Sequence, residues 1–320
     1  MSSLLDVANL KTYFFSERGL VKAIAGIDLQ IDKGETLALV GESGCGKSMT
    51  ALSILRLIPS PGRIVEGTVH FAGHNLGNLP EAEMRRFRGN RIGMIFQEPM
   101  TSLNPVLRIG EQITEVLALH RGTPRQKALE VAADLLQQVG IPSAGQRLSD
   151  YPHQLSGGMR QRVMIAMALA CDPELLIADE PTTALDVTIQ AQIMDLLTRI
   201  KQERGMATLL ITHDLGIVAE HADRVVIMYA GLVLESAPVR QIYANPSHPY
   251  TKGLLACIPK IGERHTRLTP IEGSVPTQTR DAGCPFLDRC PEKFAPCREQ
   301  LPPLTEVAPG HLVRCWRVLP

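Results

Sequence analysis

The sequence of 320 residues lacks the features that mark several large classes of protein. Its 33 basic and 33 acidic residues leave no net charge, so we expect no nucleic-acid partner, because such proteins usually carry a basic excess. No window approaches the roughly 18 consecutive apolar residues that a membrane-spanning helix needs. The N-terminal stretch MSSLLDVANLK has no basic segment before a long apolar one. We therefore expect no signal peptide and a cytosolic protein.

Cysteine is scarce over most of the chain, yet four of the seven cysteines lie close to its end, at Cys284, Cys290, Cys297 and Cys315. Their spacing contains no C-x-x-C pair, so spacing alone indicates neither a zinc ribbon nor a ferredoxin. In a reducing cytosol, clustered cysteines are more often metal ligands or redox groups than disulfides. Four thiolates would suit tetrahedral zinc or a [4Fe–4S] cluster, and four unrelated free thiols are the alternative.

A phosphate-binding loop is predicted near the N-terminus. An apolar run, Thr36 to Val40, predicts a buried strand, and Met49 to Ile58 predicts a helix that Pro59 ends. The residues between them read GESGCGKS and match G-x-x-x-x-G-K-S. In such a loop, backbone N–H groups and the helix N-terminus bind phosphate, a lysine reaches the terminal phosphates and a hydroxyl binds Mg²⁺. The residues expected around the nucleotide are Gly41, Ser43, Gly44, Cys45, Gly46, Lys47, Ser48 and Met49.

A second set of polar residues follows apolar strands further along the chain. The run ELLIADE predicts a buried strand that ends in Asp179 and Glu180, where open α/β sheets bind ligands. Asp179 suits a Mg²⁺ contact, and Glu180 suits the group that polarises the attacking water. Gln97 and His213 also follow predicted strands, although either residue alone would be unremarkable.

The segment QLSGGMRQRVMIAMALACDP predicts a helix with Ser156 at its N-cap. Gly157 and Gly158 leave that helix N-terminus bare, which makes it a second anion site without a lysine. The chain has one lysine-bearing loop and one separate glycine-rich turn. This arrangement predicts a dimer in which the turn of one subunit contacts the nucleotide bound to the loop of the other subunit.

Taken together, these motifs resemble the ATPase subunit of an ATP-binding cassette (ABC) transporter over residues 5 to 257. The resemblance implies an α/β P-loop NTPase of the ABC type, with a RecA-like core, an antiparallel β-subdomain and a helical subdomain at about 98–160. It identifies LSGGM as the signature, with Met159 where the family usually has Gln, and Ala184-Leu185-Asp186 as the D-loop. It implies that Ser156, Gly157 and Gly158 contact nucleotide, that Gln97 assists catalysis and binds Mg²⁺ with Ser48 and Asp179, and that Glu180 and His213 support hydrolysis. An aromatic residue should stack on adenine, with Phe14 favoured over Tyr13 and Phe15.

Two stretches, FQEPMTSLNPVLRIGEQI and NPSHPYTKGLL, resemble the ATPases of oligopeptide and dipeptide importers more closely. Residues 258–320 then resemble the extension of those importers, whose motif GC-x-F-x-x-RC-P stands here as GCPFLDRCP. The resemblance implies a [4Fe–4S] cluster on the four cysteines, with zinc as the alternative, and leaves a structural or regulatory role open.

The sequence thus predicts an ATPase that energises peptide import from the cytoplasmic face of the inner membrane. Its expected partners are a second cassette, by family habit a homologue, two transmembrane permease subunits and an extracytoplasmic binding protein. The alternative is a soluble cassette ATPase with an iron–sulfur site that acts on nucleic acid or in cluster assembly. A cassette with inactive nucleotide chemistry is disfavoured by the intact Lys47, Asp179, Glu180 and His213. The identity of the transported substrate does not follow from this sequence, because cassettes do not contact the substrate.

Overall fold

The structure is a computed structural model that describes residues 3–17, 19–98, 102–183, 185–258, 270–276 and 282–319. The first residue of the expected D-loop, Ala184, lies outside the described residues. The chain divides into two compact units. Unit 1 comprises Met1–Ile31, Thr36–Gly77 and Ile211–Pro320, and unit 2 comprises Asp32–Glu35 and Asn78–Leu210.

The strands are β1 (Leu5–Ser16), β2 (Gly19–Ile31), β3 (Thr36–Val40), β4 (Gly62–Phe71), β5 (His74–Asn75), β6 (Ile92–Ile95), β7 (Leu175–Asp179), β8 (Ala207–Thr212), β9 (Arg224–Tyr229), β10 (Leu232–Pro238), β11 (Thr305–Ala308) and β12 (His311–Val313). The helices are α1 (Lys47–Ile54), α2 (Glu81–Met84), α3 (Ile109–Arg121), α4 (Arg125–Gln138), α5 (Ala144–Arg147), α6 (Gly157–Leu169), α7 (Val187–Arg204), α8 (Leu215–His221), α9 (Val239–Ala244), α10 (Pro249–Ala256) and α11 (Pro296–Glu299). None of the helices in these described ranges is long and apolar enough to cross a membrane.

Unit 1 contains the expected antiparallel sheet, with its strands in the order β2-β1-β4-β5. A second set of strands in unit 1 runs in the order β11-β12-β10-β9-β3. Strand β3 pairs in parallel with β9, and the other neighbours in this set are antiparallel. Every residue of β3 is buried, as is typical of strands that are covered on both faces.

Helix α1 ends four residues earlier than the sequence predicts, at Ile54 rather than at Ile58. Arg56 adopts the left-handed conformation, with φ of 54°. The Leu57 N–H donates to the carbonyl of Leu52 at 2.8 Å, and the Arg56 N–H donates to the carbonyl of Ser53 at 3.1 Å. This is the hydrogen-bond pattern of a Schellman motif, so local C-capping ends the helix before Pro59.

The C-terminal extension shares the hydrophobic core of unit 1. Phe286 is buried, and its ring lies 5.3 Å from the ring of Tyr229 and 5.2 Å from that of Tyr250. The same cluster includes Cys284 and Cys297 from the extension. The described part of the extension is therefore stabilised by side chains of the preceding domain as well as by its own.

A buried carboxylate joins the extension to the NPSHPYT segment. Glu235, on β10, is fully buried and accepts hydrogen bonds from the backbone N–H groups of Ser247 at 2.7 Å and His248 at 3.0 Å. His311, on β12, lies 2.7 Å from the same carboxylate through its Nε2. The His248 side chain in turn accepts from the backbone N–H of Tyr250 and caps α10.

In unit 2, residues 207–210 of β8, strand β7 and strand β6 are neighbours in that order, and β6 pairs with β7 in parallel. Helices α3, α4 and α5 occupy 109–147, within the segment predicted to form the helical subdomain. Helix α3 packs against α4 and α6. Its first turn is capped by Glu111, which accepts from the backbone N–H of Arg108 at 2.9 Å. The domain boundaries at 257 and at 98–160 stay predictions.

We predict that Glu235→Ala lowers the free energy of unfolding by about 3 kcal/mol, because it leaves two buried N–H groups and a buried histidine without their acceptor. Urea denaturation of the purified chain measures the change. Glu220→Ala, at an exposed glutamate of α8, is the control and should change the free energy of unfolding by less than about 0.5 kcal/mol. An equal effect of the two substitutions would contradict the structural role of the Glu235 network.

Candidate functional site

The predicted phosphate loop lies between β3 and α1, as the motif requires. A Cβ at Gly41 would collide with the carbonyl oxygen of Met228, so only glycine fits there. Gly46 has φ of 106°, and a Cβ on it would lie 2.6 Å from the carbonyl oxygen of Ala23. Gly41 is therefore required because no side chain fits. Gly46 is required for the same reason and because its backbone conformation disfavours a side chain.

Lys47, at the start of α1, is almost fully buried, and its ammonium donates to two carbonyl oxygens of the loop. The Nζ lies 2.8 Å from the oxygen of Gly41 and 3.1 Å from that of Glu42. Ser48 and Met49 follow it in the first turn of α1 and are half-buried, whereas Ser43 and Gly44 are exposed. Cys45 is buried, and burial raises the pKa of its thiol, which favours the neutral form.

The aromatic residues of β1 differ in their surroundings. The Phe14 ring is half-buried, and a Cβ at Gly62 would collide with its edge. The Phe15 ring is 42% exposed, and the guanidinium of Arg63 lies 4.3 Å from its centroid. Phe14 stays the predicted adenine contact, with Tyr13 and Phe15 as its alternatives.

His213 directly follows β8 and is exposed. The next residue, Asp214, caps α8 by accepting from the backbone N–H of Gly216 at 2.7 Å and of Ile217 at 3.3 Å. The cap fixes the turn on which His213 stands at the carboxyl end of the strand.

In unit 2, the structure brings together Gln97 and Glu180, which are far apart in the sequence. The Gln97 amide nitrogen donates to Glu180 Oε2 at 3.0 Å, and the Thr183 hydroxyl donates to the same oxygen at 2.9 Å. Glu180 has φ of 47°, which is uncommon for a residue with a side chain and is concentrated at functional sites. The preceding Asp179 is buried at the end of β7. Sequence reasoning missed Thr183, since a threonine three residues after a carboxylate gives no signal of its own.

The signature segment forms the N-terminus of α6, as predicted. Ser156 is its N-cap, and the hydroxyl oxygen accepts from the backbone N–H of Met159 at 3.3 Å. Gly157 is exposed, and Gly158 has only limited space, because a Cβ there would lie 3.1 Å from Ile189. The Gln161 amide donates to the carbonyl of Pro181 at 2.5 Å and thus ties α6 to the turn that follows Glu180. No motif predicts this role of Gln161.

The predicted oxygen donors for Mg²⁺ fit the chemistry of that ion, which prefers oxygen ligands. The predicted donor of unit 1 is the Ser48 hydroxyl, and those of unit 2 are the Asp179 carboxylate and the Gln97 amide oxygen. The amide nitrogen of Gln97 already donates to Glu180, so its oxygen is the atom suited to a cation.

The four C-terminal cysteines, on which a [4Fe–4S] cluster or zinc is predicted, lie near one another. The described ranges contain no group of three or more His, Cys, Asp or Glu side chains arranged to hold a metal. Burial raises the pKa of Cys284 to about 12, and the neighbouring thiols of Cys297, Cys315 and Cys290 raise it too. Burial and neighbouring sulfur likewise raise the pKa of Cys290 and Cys315, which favours protonated thiols.

A lysine-bearing phosphate loop, an acidic strand end and a separate glycine-rich helix N-terminus define the class of ATP-binding cassettes. Residues 24–183 match the family described as ABC transporter, and residues 234–297 match the oligopeptide/dipeptide transporter C-terminal region. A probable peptide ABC transporter ATP-binding protein of Sinorhizobium fredii is 53% identical, over 98% of this chain and 95% of its own length. The oligopeptide transport ATP-binding protein AppD of Bacillus subtilis is also 53% identical, over 99% of this chain and 97% of its own. The chain therefore belongs to the ABC transporter family.

The fold agrees with that of a solved cassette. The dimeric ATP-binding cassette MJ0796, in a post-hydrolysis state bound to ADP and Pi, matches with a TM-score of 0.65 and 29% identity. The match covers 74% of this chain and 99% of the cassette. The prediction of an ABC-type P-loop ATPase fold is thereby confirmed.

We predict that Glu180→Gln keeps ATP binding but lowers the rate of hydrolysis by about 100-fold or more, because an amide of the same size cannot accept a proton. Phosphate release and equilibrium binding of ATP are measured on the same preparation. Glu203→Gln, at an exposed glutamate of α7, is the matched control and should hydrolyse ATP at the unaltered rate. Retained turnover in Glu180→Gln would show that Glu180 is not the base.

Proposed function

We propose that the chain is the ATP-hydrolysing subunit of an importer for dipeptides or oligopeptides. The observation that carries this proposal is the match of residues 234–297 to the C-terminal region of oligopeptide/dipeptide transporters, a region outside the general cassette. Two relatives with half of their residues identical over nearly the full chain carry peptide transport in their names. Both kinds of peptide occur in the family description, so the length of the cargo is left open.

The residues of the site have separate roles in this function. The backbone N–H groups of the loop from Gly41 to Lys47 bind the phosphates, and the Lys47 ammonium compensates their charge. Mg²⁺, when bound, would neutralise further phosphate charge. Glu180 accepts a proton from the attacking water, Gln97 holds the Glu180 carboxylate in place, and His213 supports the γ-phosphate.

The working unit is a pair of cassettes. Ser156, Gly157 and Gly158 of one cassette close on the ATP held by the phosphate loop of the other, since a bare helix N-terminus favours anions. The pair acts on two transmembrane permease subunits at the cytoplasmic face of the membrane, and an extracytoplasmic binding protein delivers the peptide. Family habit favours a homologue as the second cassette.

The alternative function, a soluble iron–sulfur cassette that acts on nucleic acid or in cluster assembly, is not supported by the names of the two relatives given above. The zero net charge also offers no electrostatic footprint for nucleic acid. Peptide uptake distinguishes the two functions directly. Proteoliposomes with the permease pair, the second cassette and this chain should take up a peptide only with ATP and the binding protein, and tight RNA binding without such uptake would favour the alternative.

We predict that Lys47→Ala weakens ATP binding at least about tenfold and abolishes hydrolysis, because it removes the charge that faces the terminal phosphates. Binding is measured by titration with ATP and hydrolysis by phosphate release. Lys33→Ala, at an exposed lysine just before β3, should leave both unchanged. Equal ATP affinity in the Lys47 variant and the unaltered chain would contradict the proposed phosphate site.

We also propose a metal at Cys284, Cys290, Cys297 and Cys315, with a [4Fe–4S] cluster favoured over zinc. The donor set supports it: four thiols crowd one buried region, and a cation would compensate the thiolate charges that burial disfavours. Chain purified without oxygen should contain about four iron and four sulfide and absorb broadly near roughly 400 nm. One zinc without sulfide would favour the alternative metal, and the absence of any metal would refute the site.

A further inference from the structure

Glu42, the second residue of the phosphate loop, is held by residues that lie far beyond it in the chain. The guanidinium of Arg289 binds both carboxylate oxygens, at 2.5 Å to Oε2 and 2.9 Å to Oε1. The backbone N–H of Glu42 donates to the hydroxyl of Tyr250 at 3.0 Å. Arg289 belongs to the cysteine-bearing extension, and Tyr250 belongs to the NPSHPYT segment.

Arg289 is itself fixed by the extension. Its side chain is 5% exposed, against 30% for that of Glu42. Its Nε donates to the carbonyl of Glu272 at 2.8 Å, and one terminal nitrogen donates to the carbonyl of Ile271 at 3.1 Å. The guanidinium also lies 6.0 Å from the ring centroid of Phe286. Because a paired guanidinium has little rotational freedom, these contacts determine where Glu42 is held.

The third polar group of Glu42 is its backbone carbonyl, which contacts Lys47. Its carbonyl oxygen accepts from the Lys47 ammonium, as does that of Gly41. The side chain, the N–H and the carbonyl of one residue thus connect Arg289, Tyr250 and Lys47. A displacement of Glu42 must change the position of the peptide group that the lysine contacts.

We propose that Arg289 is a positioning residue for ATP: through its paired contact with Glu42, the C-terminal extension holds the phosphate loop in the form that binds the triphosphate. This proposal rests on the proposed function as an ATPase. It gives the extension a role in nucleotide affinity, since Arg289 stands between Cys284 and Cys290 and its placement depends on how that segment folds. Arg289 and Glu42 touch no reacting atom and act through the loop.

The test compares the KM for ATP and kcat in full-length Arg289→Gln, Glu42→Gln and the double variant. We expect each single variant to raise the KM about tenfold, as befits a lost charge-assisted pair, with kcat within about twofold of the unaltered chain. The double variant should be no worse than the poorer single variant, because the two groups act as a pair. Glu42 is partly exposed, so its variant tests the pair even where Arg289→Gln does not fold.

The control is Arg317→Gln, in the same extension. The Arg317 guanidinium donates to the carbonyl of Glu292 and stacks over Phe294, and neither residue belongs to the phosphate loop. It should leave the KM unchanged. A KM unaltered in Glu42→Gln, additive effects in the double variant, or an equal rise in Arg317→Gln would each overturn the proposal. Failure of the unaltered chain to hydrolyse ATP would instead refute the proposed function.

Discussion

The close approach of the phosphate loop to two neighbouring backbones is the constraint on which unit 1 depends. Gly41 lies against the carbonyl of Met228, on β9, and Gly46 lies against that of Ala23, on β2. The first contact packs the loop onto the parallel strand pair, and the second packs it onto the antiparallel sheet. Any side chain at either position would separate the loop from a sheet. The phosphate loop therefore packs against both sets of strands of unit 1. Its glycines are needed for this packing as well as for the binding of phosphate.

The extension, like the phosphate loop, contains a glycine at which two backbone segments approach closely. Gly283 has φ of 83°, and a Cβ on it would lie 2.8 Å from the carbonyls of Cys297 and Arg298, so the turn before Cys284 closes without a side chain. The Cys284 N–H then donates to the Cys297 carbonyl at 2.8 Å. These backbone contacts bring Cys284 and Cys297 together, although they lie thirteen residues apart in the sequence. Phe286 packs in the core of unit 1 and holds the segment there. The segment has few apolar residues of its own. It is stabilised by these backbone contacts and by the packing of Phe286 in the core of unit 1.

The sequence predicted the strands that carry the site because each is a short apolar run that ends in polar residues. Strands β3 and β7 lie where those runs are, and Ser156 caps α6 as its residue type indicates. The sequence did not predict the end of α1. The helix ends before Arg56, which adopts the left-handed conformation, and arginine is not a residue type that predicts this conformation. The metal implied at the four cysteines stays a prediction, because proximity of thiols and the directional arrangement of ligands are separate properties. Contacts between distant residues, such as Arg289 with Glu42, have no local signal at all.

The Glu180 backbone explains why the second half of the site needs several residues rather than one. A left-handed conformation at a residue with a side chain costs about 1–3 kcal/mol and persists only where its surroundings impose it. Thr183 and Gln97 both donate to the same carboxylate oxygen, and Gln161 holds the carbonyl of the next residue, Pro181. Since Gln97 reaches Glu180 directly, a shift of the segment after β6 must alter the hydrogen bonds of that carboxylate. Since Gln161 lies on α6, a shift of the signature helix must reach the adjoining peptide. Gln97 thus contacts the Glu180 carboxylate itself, whereas Gln161 contacts the backbone of the turn that follows it, so two parts of unit 2 hold one short segment.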